Sequence, residues 1–585
     1  MKTNFKKTTL SLALSVMVMG AAQAGETIEF ENGVNLDWSI TASYNVAMRV
    51  AKPDPLLTGE RNMWAVRYND GDNNFDQWSL VNNRASALFQ TKLSKGDSGF
   101  VLNGSTFYDD VYHRGTDSRP DKFKPFLNNG KIPTGTDIDI RNSNDAARGA
   151  FSAEAKRLHG GYSRFLDAYA YTNTDIFGRR ANIKLGRHVV SWGESLFFPN
   201  ISMAQGPLDG SKANVPGTEI KEIMLPEDQI SMSWQVGPKT TLLAHYQFGW
   251  HPTVIDAPGS YLARSDIIGP GGRCLTEWVP GQGCRVLPFN GRLPELNSAA
   301  GKPSANPAGG DVLDDITPDK NGSAGIGLRQ RVSEETELGI YYLRYHERVP
   351  MPLLMYKNVA GAAGTPDYWQ RFYQPNVHLL GASFTTSLGE FVVGGEIAHR
   401  RGAPVLAGND NVVAKFGTVT KPIYGPTTAN LTQINLNTFA NFGRTFLAPR
   451  TLLLAEAAWV NVSGLKATEL PFTAGVRPVV DQLRLYSKNN LGVQARFQLD
   501  YPGIAEGWDL SVPISYSQQL LGQNMLSNLG GKGDKIFGVS TEFTRGNLQL
   551  SASYVNWLGK PSTDDFGSRV LTDRDFVGLG VKYTF

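Results

Sequence analysis

The chain has 585 residues, 62 of them Gly and 10% aromatic, and a formal net charge of only +3. Near-balanced charge gives no handle for nucleic acid, and two cysteines are too few for a disulfide-built fold. No stretch reaches the roughly 18 uncharged apolar residues of a membrane-spanning helix, so any membrane crossing must be made with strands.

The chain opens with Lys2, Lys6 and Lys7, an apolar run from Leu10 to Ala22, and the small-residue pattern Ala22-Gln23-Ala24. This is the layout of a secretory signal peptide over residues 1–24, cut before Gly25. The first mature strand is expected over 34–49, where Val34, Leu36, Trp38, Ile40, Ala42, Tyr44, Val46 and Met48 alternate with Asn35, Asp37, Ser39, Thr41, Ser43, Asn45, Ala47 and Arg49. Period-two alternation gives a strand with one apolar and one polar face. In a membrane barrel the apolar face meets lipid and the polar face meets the lumen.

The pattern recurs over 84–93, 99–108, 164–172, 181–189, 229–236, 240–248, 323–331, 336–346, 377–387, 391–400, 432–442, 451–461, 490–500, 508–517, 535–544, 547–557 and 576–585. With 34–49 these make eighteen strands, or sixteen if one hairpin is misread. Connections alternate in length: a long loop over 50–83 is followed by the tight turn Ser94–Ser98, and the longest, 249–322, is followed by Val332–Glu335. Short periplasmic turns and long outside loops are the outer-membrane pattern. Only about nine residues separate the cleavage site from the first strand, so no N-terminal plug is expected and any narrowing of the lumen must come from outside loops. The final strand, Phe576–Phe585, ends on an aromatic residue and resembles the terminal assembly signal of Gram-negative outer-membrane barrels. It is expected to pair with the first strand, since a closed sheet has no exposed edge.

Several motifs suggest chemistry. Gly96-Asp97-Ser98-Gly99 matches the surroundings of a chymotrypsin-type nucleophile but consists of turn formers in a tight turn. Asp70–Asp76 is rich in oxygen ligands, yet Phe75 and Val81 stand where a calcium loop wants Gly and Glu. Cys274 and Cys284, close together in a Gly/Pro-rich stretch, are expected to form a local disulfide in an oxidising compartment. Without a nearby His they make half a zinc site at best, so no metal and no cofactor is expected.

The densest segment runs from Leu185 to Pro226. It mixes Arg187, His188, Glu194, Asp209, Glu219, Lys221 and Glu222 with Trp192, Phe197 and Phe198. Charges of both signs packed with aromatics suit a loop near 190–228 folded back into a lumen, where Arg187 would pair with Glu194, Glu219 or Glu222 and Trp192 would wall an apolar path. By parity Arg84, Lys92, Glu396, Arg400, Arg496 and Glu542 also point inward, and both signs on one wall speak against a simple ion-selective ring.

The runs Gly186–Glu194 and Val215–Glu222, together with Asp70–Phe75 and Gly394-Gly395-Glu396, resemble the signature of an uncharacterised family of Gram-negative outer-membrane proteins, the domain-of-unknown-function family thirteen-oh-two. The resemblance implies a barrel over the whole mature chain and brings no catalytic residues. It also implies hydrophobic cargo and a periplasmic lipid-carrier-like protein as partner. The expectation is therefore one all-β barrel domain over 25–585, set in outer-membrane lipid and lipopolysaccharide by the barrel assembly machinery. It would be a channel or transporter, not an enzyme, passing a small hydrophobic or aromatic solute through a constriction formed by Arg187, His188, Trp192, Glu194, Glu219, Lys221, Glu222, Glu396, Arg400 and Arg496. A barrel lipid hydrolase and a surface receptor or adhesion protein are the rival readings.

Overall fold

The structure, a computed structural model, describes residues 25, 27–58, 68–118, 149–272, 277–279, 283–285, 311–359, 363–416, 419–470, 479–523, 530–562 and 569–585. The signal-peptide segment 1–24, Cys274 and the side chain of Cys284 lie outside them. Eighteen antiparallel strands close into a barrel. They are β1 Asn35–Arg49, β2 Leu80–Lys95, β3 Ser98–Asp109, β4 Gly161–Ile176, β5 Arg179–His188 and β6 Glu227–Gly237. Next come β7 Thr240–Gln247, β8 Ala324–Arg331, β9 Thr336–Tyr345, β10 Val377–Leu388, β11 Phe391–Phe416 and β12 Val419–Gly443. The last six are β13 Arg450–Ser463, β14 Asn489–Ala505, β15 Trp508–Leu521, β16 Lys535–Arg545, β17 Leu548–Leu558 and β18 Phe576–Thr584. Each strand pairs with its sequence neighbour, and β18 closes on β1 with Thr584 opposite Thr41 and Phe576 opposite Arg49.

All eighteen sequence-predicted strands are present. Closure matters because hydrocarbon offers no partner for a free backbone N–H or C=O, so a spanning sheet must have no edge. The outward set is greasy and uncovered, with Leu185, Ile340, Leu380 and Leu579 all more than half exposed. Water contact at such a belt would cost about 25 cal/mol for every Å², whereas a bilayer removes that cost. With short turns at one end and long loops at the other, this is an outer-membrane barrel. The purified protein should migrate faster on a gel when unheated in detergent than after boiling; equal mobility with a helical circular dichroism spectrum would contradict the barrel.

Two strands exceed expectation. β11 and β12 were expected to end at 400 and begin at 432, but they run 26 and 25 residues. A transmembrane strand needs about 9–11 residues, so more than half of each stands beyond the bilayer. The alternation was hidden by a bulge between Arg400 and Ala403, which shifts the facing of every later side chain. The extension packs on the outside hairpin Met351–Val359/Ala363–Phe372 through Leu354, Trp369, Ala407, Ile423, Leu470 and Val480.

The other long loops form a cap over the outer ends of β1, β2 and β16–β18. Its apolar core joins Leu57 and Phe75, Tyr112 and Phe151, Tyr261, and Val570 and Leu571 to Ala47, Trp557 and Phe576 of the barrel. The acidic Asp70–Asn73 stretch is a short buried helix within it. Asp72 there pairs with Arg49 and Arg574, both at 2.8 Å, and Arg49 also reaches Asp573 at 3.0 Å. Both arginines meet Asp72 at its Oδ1, and no group of three metal-ligating side chains occurs among the described residues.

Candidate functional site

The connection between β5 and β6, residues 189–226, lies inside the barrel. Its first half is a strap held to the wall by two carboxylates. Glu396 of β11 accepts the backbone N–H groups of Glu194 (2.5 Å) and Ile201 (3.2 Å). Glu456 of β13 accepts those of Leu196 (3.3 Å), Phe197 (2.5 Å) and Phe198 (2.8 Å). Irregular backbone at membrane depth is tolerable only when its N–H groups find such partners, and a charged acceptor is the strongest kind. The strap's carbonyls are matched as well: Asn435 donates to Phe198 O (2.7 Å), Asn437 to Glu194 O (2.6 Å), and the Arg400 guanidinium to both Asn200 O and Asn200 Oδ1 (2.9 Å each). Ile201 and Trp192 seal the contact against Leu243, Tyr341, Leu343 and Leu379.

The second half reaches the opposite side. Asp209 accepts from Arg164 of β4 (2.8 Å), and Glu219 pairs with Lys582 of β18 (3.2 Å). Lys212 is buried, pairs with Glu222 (3.0 Å) and sits over the Phe107 and Tyr162 rings at 4.6 and 5.0 Å. Burial pulls the Lys212 ammonium below its ordinary value, while Glu222 pulls the other way. Two glycines let the chain pass where it must. Gly193, at φ +92°, runs so close to Glu396 that a Cβ would lie 2.3 Å from its carboxylate, and at Gly217, φ +76°, a Cβ would meet the Asn45 amide at 2.1 Å. Both are positive-φ positions that side chains disfavour, and they explain the glycines of the Ser-Trp-Gly-Glu and Val-Pro-Gly runs.

The expected constriction residues fall into separate places. Trp192, Glu194, Glu396 and Arg400 come together at the strap, where Glu194 also accepts from Thr385 (2.7 Å). Glu219 and Glu222 belong to the opposite anchorage, and Lys221 is exposed. His188 stays on the wall, its ring bonded to Gly186 O (2.9 Å) and Ser231 Oγ (2.7 Å). Arg496 lies on the inner face of β14, exposed, with no hydrogen bond to the strap among the described residues.

Arg187 corrects an expectation. It pairs not with Glu194, Glu219 or Glu222 but with Asp228, through two 3.0 Å bonds. The reason is parity: Arg187 shares the outer face with Ile183 and Leu185, and Asp228 is its direct cross-strand neighbour. The apolar path walled by Trp192 is also absent at that residue, because the indole is buried 4.9 Å from the His245 ring and 5.9 Å from Tyr341. Sequence reading missed Glu456, Asn435 and Lys212. Glu456 left a signal: it is the single charge within Leu452–Val460, a run apolar on both faces, as a wall covered from inside would be.

A small cavity of about 30 Å³ separates cap and loop, lined by Asn82, Arg84, Asp109, His159, Ser211 and Asp256 among others. Burial pushes Asp256 up to about 7, with the charge of Asp209 adding to it, and burial holds His159 down at about 3. The Ser211 hydroxyl donates to Asp209 (2.5 Å), and His159 Nε2 takes the amide hydrogen of Ala257 (3.3 Å).

Along one arc of the lumen the loop makes no polar contact with the wall among the described residues. No hydrogen bond or ion pair among the described residues joins 189–226 to β15, β16 or β17. Their inner faces carry Ser511, Ser515 and Ser517, Gly538, Ser540 and Glu542, and Ser551 and Ser553, as the pairings Ser515↔Gly538 and Ser540↔Ser553 place them.

No curated protein matches the chain. Similar solved structures include OpdK of Pseudomonas aeruginosa with vanillate (10% identity, TM-score 0.37, 94% of this chain and 98% of that one). OccK2 (OpdF) of Pseudomonas aeruginosa in complex with glucuronate gives 11%, 0.38, 94% and 98%, and OccAB4 of Acinetobacter baumannii gives 9%, 0.38, 96% and 99%. The family described as protein of unknown function (DUF1302) matches residues 6–585, and the chain belongs to it.

Proposed function

We propose that this protein is an outer-membrane channel in which 189–226 fills one side of the lumen and small water-soluble solutes move along the β15–β17 wall. The observation that carries this reading is the chemistry of that wall. Its inward side chains include Ser511, Ser515, Ser517, Ser540, Ser551 and Ser553 beside Gly538 and Glu542, which leave space and offer hydroxyl hydrogen bonds, while Trp192 of the loop is packed against the β7 and β9 wall. This favours a polar, hydroxyl-bearing solute over the hydrophobic or aromatic one expected from the aromatic loop and from the family resemblance. Arg496, projecting from β14 beside the same arc, supplies a positive charge opposite in sign to the inward Glu542 of β16.

The test uses purified protein in planar bilayers and in liposomes. Small neutral polyols should enter faster than an apolar aromatic solute of equal size. Arg496→Glu should move the reversal potential in a potassium chloride gradient toward cation preference while leaving heat-dependent gel mobility unchanged. If the reversal potential does not move, the path does not pass Arg496, and the β15–β17 arc is not the conduit.

A further inference from the structure

The outer rim of the barrel carries two arginines on either side of a histidine, with no ion pair to either arginine among the described residues. Arg344 at the end of β9, His378 at the start of β10 and Arg401 on β11 are direct cross-strand neighbours, Arg344 opposite His378 and His378 opposite Arg401. All three are exposed and point outward, on the same face as Tyr342, Leu380 and Ile397. Side chains placed directly opposite across strands interact, and a guanidinium in such a position calls for an acid beside it. Elsewhere on the same rim the problem is solved internally, since Arg187 has Asp228. Here Arg344 donates only to the neutral Asn376 Oδ1 (2.7 and 3.2 Å), and neither arginine has an ion pair among the described residues. Glu347, the acid nearest in sequence to Arg344, turns its carboxylate to the backbone N–H groups of Arg348 and Val349 (2.9 and 3.3 Å).

Immediately toward the membrane the surface becomes apolar. Tyr342 bonds His378 Nδ1 through its hydroxyl (2.9 Å), with Leu380 and Ile340 below, both about 60% exposed. A pair of guanidinium groups flanking an imidazole above a greasy wall matches a molecule with anionic oxygens at its head and acyl chains beneath. Arginine presents a planar fork that fits phosphate with paired bonds. The long-loop end of an outer-membrane barrel faces the outer leaflet, where the phosphorylated lipid is lipopolysaccharide. We propose that Arg344, His378 and Arg401 form a binding site for the phosphates of the lipid A headgroup, with its acyl chains lying on the wall of β9–β11.

Delipidated full-length protein in detergent would be mixed with bisphosphorylated lipid A, with the same lipid stripped of its phosphates, or with inorganic phosphate, and bound lipid counted by native mass spectrometry. Wild type should retain the bisphosphorylated form. The double variant Arg344→Ala/Arg401→Ala should bind it at least roughly tenfold more weakly, since each basic residue near such a surface contributes about 1 kcal/mol. Arg344→Lys/Arg401→Lys should fall between the two. Equal retention of the dephosphorylated lipid by wild type would overturn the site without reference to any variant. Equal binding by the alanine variant, with barrel mobility on gels preserved, would do the same. Competition by inorganic phosphate at concentrations matching the lipid would assign a free-anion site instead and refute the lipid.

Discussion

Replacing Glu456 by Ala should release the strap from the wall and raise single-channel conductance several-fold. Glu456 accepts three consecutive backbone N–H groups and also the Asn435 amide (2.9 Å). Hydrogen bonds to a charged acceptor contribute roughly 1.5–3 kcal/mol each. They are not additive within one network, so the loss is about 3–5 kcal/mol. That is enough to turn a fully docked segment into one that leaves the wall for most of its time. Glu456→Gln keeps one carbonyl acceptor and should give a smaller rise. Hydrogen exchange of 194–201 should accelerate in the same order, while the strands remain protected. Wild-type conductance from the alanine variant, with exchange at 194–201 already fast, would mean that the strap moves without opening any path.

The second large effect is expected at Arg49. It is fully buried, and besides its two aspartates it donates to the carbonyls of Ala51, Asp72, Phe75 and Asp573. One guanidinium therefore ties the end of β1 to two separate loops of the cap. Removing one partner of a buried ion pair costs roughly 3–5 kcal/mol because the others are left uncompensated. Arg49→Ala should open the cap, with faster hydrogen exchange over 68–76 and 569–575 and increased uptake of large antibiotics. The barrel itself should keep its heat-dependent mobility, since the strand ladder from β1 to β18 does not run through Arg49's side chain. Unaltered exchange in both segments would show that the apolar packing of Phe75, Tyr261 and Phe576 holds the cap without the ions.

The strand ladder was readable because each strand faces two solvents of opposite character, and period-two alternation records that directly. The turns were readable because Gly96-Asp97 and Gly389-Glu390 allow only tight reversal. The extensions of β11 and β12 were not, because a bulge near Gly402 breaks the alternation. The interior contacts were hidden for a different reason. Whether Glu194 meets Glu396 depends on two segments 202 residues apart, and no local pattern encodes which distant wall a loop will meet. Arg187 failed more simply: its charge outweighed its parity with Leu185, although the outward position and Asp228 were both available from the alternation.

The strap's anchors also bear on the order of assembly. Its partners lie on β11–β13, 195–260 residues further along the chain. In any intermediate where β5 and β6 have paired but β11–β13 have not, the backbone N–H groups of 194–201 have no carboxylate to receive them. In such an intermediate the segment stays in water until those strands are in place, so the interior is furnished after the wall is raised. Loop closure over such distances is slow. Early fragments of this protein would thus be wider and wetter inside than the finished barrel, and the narrowing of the lumen would be among the last events of its biogenesis.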